Sequence, residues 1–374
     1  MYRLGSTRCQ TSFPTDLFFT RNGDRFHVHN CIPNLHLTTM ARLHQSTRHR
    51  RQRPYRAYLF AIFATAAWAQ DSKRGFAFIG DSHVPDNRLL TSNNSPLSWY
   101  YNWSPYPNSD LIPADSLEFV PMIHGIDATE GSQTERVIRS LPESSKHLLS
   151  FNEPDGTEGS GGSSISPEDA AKAYIDFVVP FRNGDSSGRN WLISHPSTTG
   201  SPNGLDWLRR FNESCYNIDS ENGCPTDFVS VHWYGAFDGL AGWLGTLDEF
   251  YNTNSTRDQP LKLWVTEMAL PQQDEENTVG MMNQTLPYLD QLDYVERYSW
   301  FGAFRTDDAN EWTGDGVALF DDDGGLTELG ALYLGDGFEE GQKGEGAEDA
   351  ASGLRVSAGL MAALSLCATA FAML

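Results

Sequence analysis

Two glutamates, each placed after a short apolar run, have the residue type and the context to carry out chemistry. Glu153 follows residues 148–151 and directly precedes Pro154, and Glu267 follows residues 263–266. A proline has no N–H for a β-ladder and biases the residue before it toward an extended backbone, so the first run is predicted to be a strand that stops at Glu153. Two carboxylates at strand ends can act as an acid/base and a nucleophile, as cleavage of a glycosidic bond with retention requires. For either glutamate alone, a solvated loop carboxylate would be the simpler interpretation.

Alternating strand and helix patterns predict the framework that positions both glutamates. Eight apolar runs are predicted to be strands, at residues 75–79, 99–103, 119–123, 148–151, 191–194, 228–233, 263–266 and 297–301. The clearest helical pattern covers 167–181, with Ser166 as the N-cap and Pro167 at the first position, and weaker patterns cover 134–141, 204–211 and 279–292. With no internal repeat or linker, this alternation predicts an α/β fold with a single catalytic domain, a (β/α)8 TIM barrel. Glu153 and Glu267 would then project from the carboxyl-terminal face, where such barrels place their active sites.

The first 69 residues are predicted to be an N-terminal extension with a secretory signal peptide. Five arginines between residues 48 and 56 precede an apolar run at 58–69, which ends in Ala-Trp-Ala before Gln70. A basic segment, a short apolar segment and a small-residue cleavage site are the parts of such a signal. Met40 is the expected start of a signal peptide of ordinary length, and a buried helix is the weaker alternative.

Residues 338–374 are predicted to be an acidic spacer followed by a glycosylphosphatidylinositol (GPI) anchor signal. Residues 360–374 are almost wholly apolar, and the small residues Ala350, Ala351 and Ser352 precede them. This pattern is typical of such a signal, and the tail is short for a transmembrane helix. The barrel is therefore expected to occupy residues 70–337, outside the cell, at the cell wall or the outer face of the plasma membrane. A simple hydrophobic tail is the alternative.

Charge and cysteine usage restrict the partners. The chain has a net charge of −22, which argues against nucleic acid and anionic lipid as partners and is compatible with a neutral polymer. Contact with a membrane is expected only through the lipid anchor. Of five cysteines, Cys215 and Cys224 alone lie between the two processing signals, so they are predicted to form a disulfide in an oxidising compartment. No Cys/His cluster has the spacing of metal ligands, so neither a metal nor a cofactor is expected.

Several sequons for N-glycosylation suit a secreted chain. The predicted acceptors are Asn93, Asn212, Asn254 and Asn283. A further sequon at Asn102 is set aside, because Pro105 follows it and it falls in the predicted cleft.

Aromatic and polar side chains at the predicted strand ends could bind a sugar. The candidates are Asn152, Tyr101, Trp103, His232, Tyr234 and Trp300, with His124 and His195 as weaker ones. His232 and Tyr234 alternate along one strand and could bond around the carboxylate of Glu267. Core filling is the alternative for any single aromatic residue, and a satisfied core histidine is the alternative for His232. Their convergence on one face favours a cleft.

Four segments together resemble glycoside hydrolase family 128. They are Phe-Asn-Glu-Pro-Asp at 151–155, Asp-Phe-Val-Ser-Val-His-Trp-Tyr-Gly at 227–235, Trp-Val-Thr-Glu at 264–267 and Val-Glu-Arg-Tyr-Ser-Trp-Phe-Gly at 295–302. The resemblance implies a retaining fungal β-1,3-glucanase with a (β/α)8 barrel, in which Glu153 is the acid/base and Glu267 the nucleophile. It also implies that four residues line the subsite around the cleaved bond, namely Asn152, His232, Tyr234 and Trp300.

Three features depart from the family's usual pattern. They are Ser150, the pair Ile123-His124 and the glycine- and serine-rich stretch 156–164. The stretch after Glu153 could form a mobile cleft wall or a solvated connector. The resemblance therefore leaves endo or exo action open.

The expectation from the sequence is a secreted, surface-anchored, monomeric enzyme that cleaves β-1,3-glucan polysaccharide without metal or cofactor. One alternative is a glucan-remodelling transglycosylase, which would form the same covalent intermediate. The other is a non-catalytic glucan-binding or sensor protein of the cell wall, which would have no need of both glutamates.

Overall fold

The computed structural model describes residues 72–79, 83–184, 189–253, 255 and 257–347. The predicted signal peptide, the anchor signal and the sequon at Asn254 lie outside the described residues. Within the described ranges, no helix is both long enough and apolar enough to cross a membrane. Residues 338–347, which were predicted to begin the spacer, contact the barrel, since Gly325 pairs with Lys343 and Arg88 donates a hydrogen bond to the carbonyl of Glu345.

Eight parallel strands form the predicted barrel. They are β1 (Arg74–Ala77), β2 (Trp99–Tyr101), β3 (Glu118–Phe119), β4 (His147–Leu148), β5 (Leu192–His195), β6 (Phe228–Tyr234), β7 (Lys262–Ala269) and β8 (Val295–Trp300). Consecutive strands pair with each other except β3 and β4, which lie at the two ends of the strand order, and β1 pairs with β8. A bridge between Met122 and Leu149, just beyond β3 and β4, joins these ends. The (β/α)8 prediction is confirmed, and each predicted strand overlaps an observed one.

Helices follow most of the strands. They are α1 (Val84–Leu90), α2 (Gln133–Ser140), α3 (Pro167–Ala173), α4 (Val179–Arg182), α5 (Pro202–Ile218), α6 (Phe237–Asn252), α7 (Glu275–Gln291) and α8 (Glu328–Leu334). The predicted N-cap of α3 is confirmed, because the hydroxyl of Ser166 accepts a hydrogen bond from the N–H of Asp169 at 3.1 Å. The predicted helix 167–181 is interrupted by a π-helical turn over Tyr174–Val178. Pro180 explains the interruption, since it has no N–H to donate four residues back.

Side chains that alternate along the strands form two apolar layers. The barrel interior holds Ala77, Trp99, Tyr101, Val120, Met122, Leu149, Phe228 and Trp264. The larger cluster lies between the strands and the helices and includes Phe76, Val265 and Trp300. Gly75 makes room for the interior layer, because a Cβ at this position would lie 2.3 Å from the ring of Trp99.

An ion cluster lies at the amino end of the barrel. One carboxylate oxygen of Glu118 accepts hydrogen bonds from His147 Nδ1 at 2.7 Å and from the N–H of Lys146 at 2.9 Å, and the other accepts from Arg297 Nη2 at 2.7 Å. The guanidinium of Arg297 lies 4.3 Å from the ring centroid of Trp264. Burial raises the pKa of Glu118, but the hydrogen bond from His147 and the charge of Arg297 outweigh it and lower the pKa to about 2. This end of the barrel therefore holds a fully paired carboxylate.

The predicted disulfide between Cys215 and Cys224 is present. It links α5 to the segment before β6, and the carbonyl of Cys224 lies 2.8 Å from Nε2 of His195. Burial lowers the pKa of His195 to about 4, so this histidine is a neutral core residue rather than a cleft residue.

Candidate active site

Glu153 follows β4 in a conformation that few side chains adopt. Its φ is 39°, in the left-handed region, and the next residue is Pro154. Its N–H donates to the carbonyl of Ser197 at 2.7 Å, which fixes the backbone against the segment after β5. Left-handed backbone at a non-glycine residue persists only where the surroundings impose it, and it concentrates at functional sites.

Glu267 points to the inner face of the barrel because β7 carries a local irregularity in its pairing with β6. Val231 of β6 pairs with Val265, but His232 pairs with Glu267, so the register skips Thr266. Regular alternation would direct Thr266 and Glu267 to opposite faces of the strand. An extra residue in one strand re-aims the side chain that follows it, and here it brings Glu267 to the inner face beside Thr266.

Three neutral donors hold the carboxylate of Glu267. Oε1 accepts hydrogen bonds from the hydroxyl of Tyr101 at 2.9 Å and from the indole N–H of Trp103 at 2.7 Å. Oε2 accepts one from the hydroxyl of Tyr234 at 2.6 Å. Burial and the nearby negative charge of Glu267 raise the pKa of both Tyr101 and Tyr234 well above its usual value, so both phenols stay protonated donors. The predicted bond between Tyr234 and Glu267 is present.

His232 connects the two glutamates. Its Nδ1 lies 2.8 Å from Oε1 of Glu153, and its Nε2 lies 3.4 Å from Oε1 of Glu267. The ring is fully buried. Burial lowers the pKa of His232, but the charge of Glu267 and the hydrogen bond to Glu153 outweigh it and raise the pKa above its usual value. The histidine that could have been an ordinary core residue is therefore part of the site.

The two carboxylates and the imidazole form one tight cluster. One oxygen of Glu153, one oxygen of Glu267 and a nitrogen of His232 all lie within 4.8 Å of one another. By spacing alone these three groups could hold a metal ion, a possibility that the sequence did not indicate. The hydrogen bonds that Glu267 accepts at both oxygens are an arrangement suited to an oriented free carboxylate rather than to a metal ligand.

A cavity of about 950 Å³ opens above this cluster. Glu153, Glu267 and the predicted residues Asn152, Trp103 and Tyr234 line it, together with His124, Ile79, Thr199, Ser201, Phe301 and the segments 159–161 and 310–312. This volume is within the range of sites for small organic ligands. The stretch after Glu153 therefore forms a cleft wall.

Comparison with known proteins identifies the family. The family model described as glycosyl hydrolase catalytic core matches residues 75–333. The chain belongs to this glycosyl hydrolase family. Alkali-sensitive linkage protein 1 of Schizosaccharomyces pombe is 32% identical over 271 residues, which cover 70% of this chain and 44% of that protein. The chain thus spans less than half of the length of this relative.

Solved structures place the glycosyl hydrolase beside family 128. A subgroup III curdlan-specific exo-β-1,3-glucanase of Blastomyces gilchristii, in complex with glucose, is 29% identical with a TM-score of 0.52, over 71% of this chain and 98% of that one. A subgroup IV endo-β-1,3-glucanase of Lentinula edodes is 23% identical with a TM-score of 0.56, over 70% and 99%, and shows the shared fold. The resemblance to glycoside hydrolase family 128 is confirmed.

The fold of this glycosyl hydrolase places most of the predicted sugar-binding residues at the cavity or against the two glutamates. Asn152 donates from Nδ2 to the carbonyl of Gly161 at 3.1 Å, and its Oδ1 is buried without a hydrogen-bond partner among the described residues. Tyr101 is fully buried, so it supports Glu267 from below rather than lining the cavity. His124 lines the cavity and lies 3.2 Å from the carbonyl of Gly161.

Trp300 is not brought to the cavity. It is fully buried among the residues between strands and helices, and its indole N–H donates to the carbonyl of Val317 at 2.9 Å. Phe301, the next residue, lines the cavity instead. Adjacent strand residues point to opposite faces, so an error of one residue in the predicted strand selects the wrong aromatic side chain.

Several cavity residues carry no signal in the sequence. Trp312 and its neighbours Asn310 and Glu311 come from the loop after β8, and Ile79 and Thr199 follow β1 and β5. A tryptophan in a polar stretch, at Asn-Glu-Trp-Thr, was the one available hint. The described sequon asparagines Asn93, Asn212 and Asn283 are exposed, which is compatible with glycosylation.

Proposed function

We propose that this glycosyl hydrolase cleaves β-1,3-glucan with retention of configuration, with Glu153 as acid/base and Glu267 as nucleophile. The observation that carries the proposal is the separation of the two carboxylates, whose nearest oxygens lie within 4.8 Å inside the cavity. Retaining enzymes place these groups about 5–5.5 Å apart, whereas inverting enzymes need about 6.5–9.5 Å to admit a water. The solved relatives support the substrate, since they include a curdlan-specific β-1,3-glucanase.

The contacts of each glutamate suit its role. Glu267 is held by three neutral donors and keeps its charge available for attack on the anomeric carbon. Glu153 protonates the leaving oxygen and then takes a proton from the water that releases the glycosyl-enzyme. His232, bonded to Glu153, orients that carboxyl group and stabilises its anionic form after the first proton transfer. The Oδ1 of Asn152, which has no hydrogen-bond partner among the described residues, accepts a hydrogen bond from a hydroxyl of the reacting sugar.

The test separates the two glutamates by the leaving group of the substrate. Glu153→Gln should lose activity on laminarin but still form the glycosyl-enzyme from an activated aryl glycoside, whose departure needs little protonation. Azide should restore turnover of this variant and give a β-configured glycosyl azide, because it needs no base. Full activity of Glu153→Gln on laminarin, or an α-configured azide, would contradict the proposal.

The same experiment discriminates the alternatives. Oligosaccharides longer than the substrate during laminarin digestion would assign transfer to a sugar, as in a remodelling transglycosylase. Binding of laminarin with no turnover of laminarin or of the aryl glycoside would assign a glucan-binding or sensor protein. Initial products analysed over time would also separate endo from exo action.

We also propose an extracellular, surface-anchored and monomeric protein. The apolar segments at 58–69 and 360–374, the disulfide between Cys215 and Cys224 and the exposed sequons support secretion. Monomeric action is supported because one chain supplies Glu153, His232 and Glu267. Phosphoinositide-specific phospholipase C or wall digestion should release the protein, and bulky residues at 350–352 should block attachment. Free secretion of the native chain would overturn the anchor, and gel filtration tests the monomer.

A further inference from the structure

Trp312 is an exposed aromatic side chain in a fixed position on the cavity wall. At 58% exposure it is the most exposed large apolar side chain among the described residues. It lines the cavity, and its ring packs edge-to-face on Tyr234, with centroids 4.5 Å apart and planes at 72°. The indole is thus supported by Tyr234 while much of its surface remains open to a ligand.

The backbone beneath Trp312 is fixed from two sides. Oδ1 of Asn310 accepts hydrogen bonds from the N–H of Trp312 at 3.0 Å and from the N–H of Thr313 at 2.8 Å. On the other side, Nε2 of Gln272 donates to the carbonyls of Glu311 at 2.8 Å and Trp312 at 2.9 Å. Such preorganisation lowers the entropic cost of binding at the exposed ring.

Gln272 adopts a backbone conformation that serves these contacts. Its φ is 59°, and its N–H donates to the carbonyl of Thr313 at 2.8 Å. The described residues hold four non-glycine residues with positive φ, and all belong to the site or to segments next to it, namely Trp103, Glu153, Ser164 and Gln272. Strained backbone that persists in this way indicates a functional constraint.

Gln272 also connects the cavity wall at Trp312 to the strand that carries Glu267. It lies three residues beyond the end of β7, the strand that carries Glu267. Tyr234 donates to Glu267 and packs against Trp312, so the nucleophile and the aromatic wall share one support. Trp312 therefore stands one side chain beyond Tyr234 on the side of the nucleophile, whereas the wall formed by Asn152 and residues 159–161 stands beside Glu153.

We propose that Trp312 is a stacking platform for the glucose ring next to the reacting sugar, on the glycon side, and that Gln272 is its positioning residue. The inference rests on the proposed function, in which the reacting sugar lies over Glu267. The next sugar of the glycon chain then lies beyond Tyr234, at Trp312. The aliphatic face of that ring packs on the open face of the indole, as apolar ligand surface packs on aromatic side chains.

The kinetic test compares aryl β-glucoside, which places one sugar on the glycon side, with aryl β-laminaribioside, which places two. Trp312→Ala should lower kcat/KM for the laminaribioside about tenfold and leave the glucoside within about twofold. Trp312→Phe should restore most of the loss. Gln272→Glu, which cannot donate to the two carbonyls, should show the same pattern. The matched control Gln284→Glu, whose Nε2 donates to the carbonyl of Gly280 within α7, should not.

A binding measurement keeps this inference separate from the proposed function. Laminaritriose is titrated calorimetrically into Glu153→Gln, with and without Trp312→Ala, and the second change should weaken binding about tenfold. Weakened binding without any turnover of aryl glycosides would uphold the platform and overturn the proposed hydrolase. Turnover with an unchanged substrate ratio and unchanged affinity would overturn the platform alone. Equal losses on both aryl glycosides would also overturn it, and absence of laminaritriose binding would overturn both.

Discussion

The two ends of the barrel each hold glutamate, histidine and tryptophan side chains and use them differently. At the amino end, one glutamate, Glu118, accepts hydrogen bonds from His147 and from the permanent cation Arg297. At the carboxyl end, two glutamates share one histidine, and all three hydrogen-bond donors of Glu267 are neutral. The first arrangement matches charge with charge, whereas the second gathers two carboxyl groups around one imidazole and holds one of them with neutral donors.

The difference shows how context assigns a role to the same residue types. A carboxylate paired with a guanidinium contributes stability at neutral pH and has little remaining reactivity. A carboxylate held by neutral phenol and indole donors is oriented without losing its charge, which suits a nucleophile. The amino end therefore stabilises the fold and the carboxyl end carries the chemistry, as in other (β/α)8 barrels.

The largest expected effect comes from the same substitution at both ends. Glu267→Gln should lower kcat/KM on laminarin by at least about a thousandfold, because an amide cannot attack the anomeric carbon. Glu118→Gln should stay within about twofold at neutral pH while the protein is folded, because Glu118 lies at the opposite end of the barrel. Comparable losses of activity in both folded variants would break the distinction between the ends.

The stability of the two variants should rank in the opposite order. Because its folded pKa is depressed to about 2, Glu118 contributes stability that is present above its ordinary pKa near 4.5 and is lost as the pH falls toward 2. Glu118→Gln should lower the free energy of unfolding by about 3 kcal/mol at pH 7. Urea unfolding from pH 7 downward checks this, and the difference in the free energy of unfolding between the variant and the native protein should disappear in acid. A difference that does not change with pH would show that the ion cluster is not its source.

A smaller effect is expected when one support of the nucleophile is removed. Tyr234→Phe deletes the 2.6 Å hydrogen bond to Glu267 and should lower kcat/KM on laminarin about 10- to 100-fold. Tyr298→Phe is the matched control, since its hydroxyl also donates to a carboxylate, that of Asp290 at 2.7 Å, away from the cavity. The control should change stability and leave kcat/KM nearly unaltered. If both variants lost activity alike, the loss could not be assigned to Glu267.

The smallest expected effect is a change in the pKa of His232. Its folded pKa is raised, so its contribution to stability is complete below its ordinary value near 6.5 and is lost as the pH rises through the folded pKa. NMR titration of the ring should show a lower pKa in Glu153→Gln, because the hydrogen bond to Glu153 is one of the interactions that raise the pKa of His232. Glu118→Gln should leave this titration unchanged, and a shift there would indicate that the two ends are coupled.

The sequence predicted the eight strands and both glutamates because the signals were local. A buried run that stops at Pro154 locates Glu153, and a strand of apolar residues locates Glu267. The strand β7 extends to Ala269, three residues beyond its predicted end, and its irregularity at Thr266 gave no sequence signal. The prediction that Glu267 projects into the cleft was correct, but the register shift that turns it inward could be seen only in the paired strands.

The remaining parts of the site depend on contacts between distant segments. Tyr101 was expected to meet the sugar, yet it lies beneath Glu267, a position set by the pairing around the barrel. Trp312 belongs to a loop without periodicity, and the hydrogen bonds from Gln272 that fix it join residues about forty positions apart. Glu118 and Arg297, which form an ion pair, lie 179 positions apart in the chain. No pattern within one segment encodes such contacts.

The junction between β3 and β4 has a consequence for how the barrel comes apart. Beside the bridge between Met122 and Leu149 and the hydrogen bond from the N–H of Asn152 to the carbonyl of His124, the carboxylate of Glu118 joins these strands by accepting hydrogen bonds from the N–H groups of Lys146 and His147. A side chain thus replaces part of the ladder between the first and second halves of the chain. Subglobal opening should begin at this junction, and amide exchange at Leu149 and Ile123 should exceed that of the long β6–β7 ladder. Protonation of Glu118 would then open the barrel along this junction, while the β1–β8 ladder still joins its two halves.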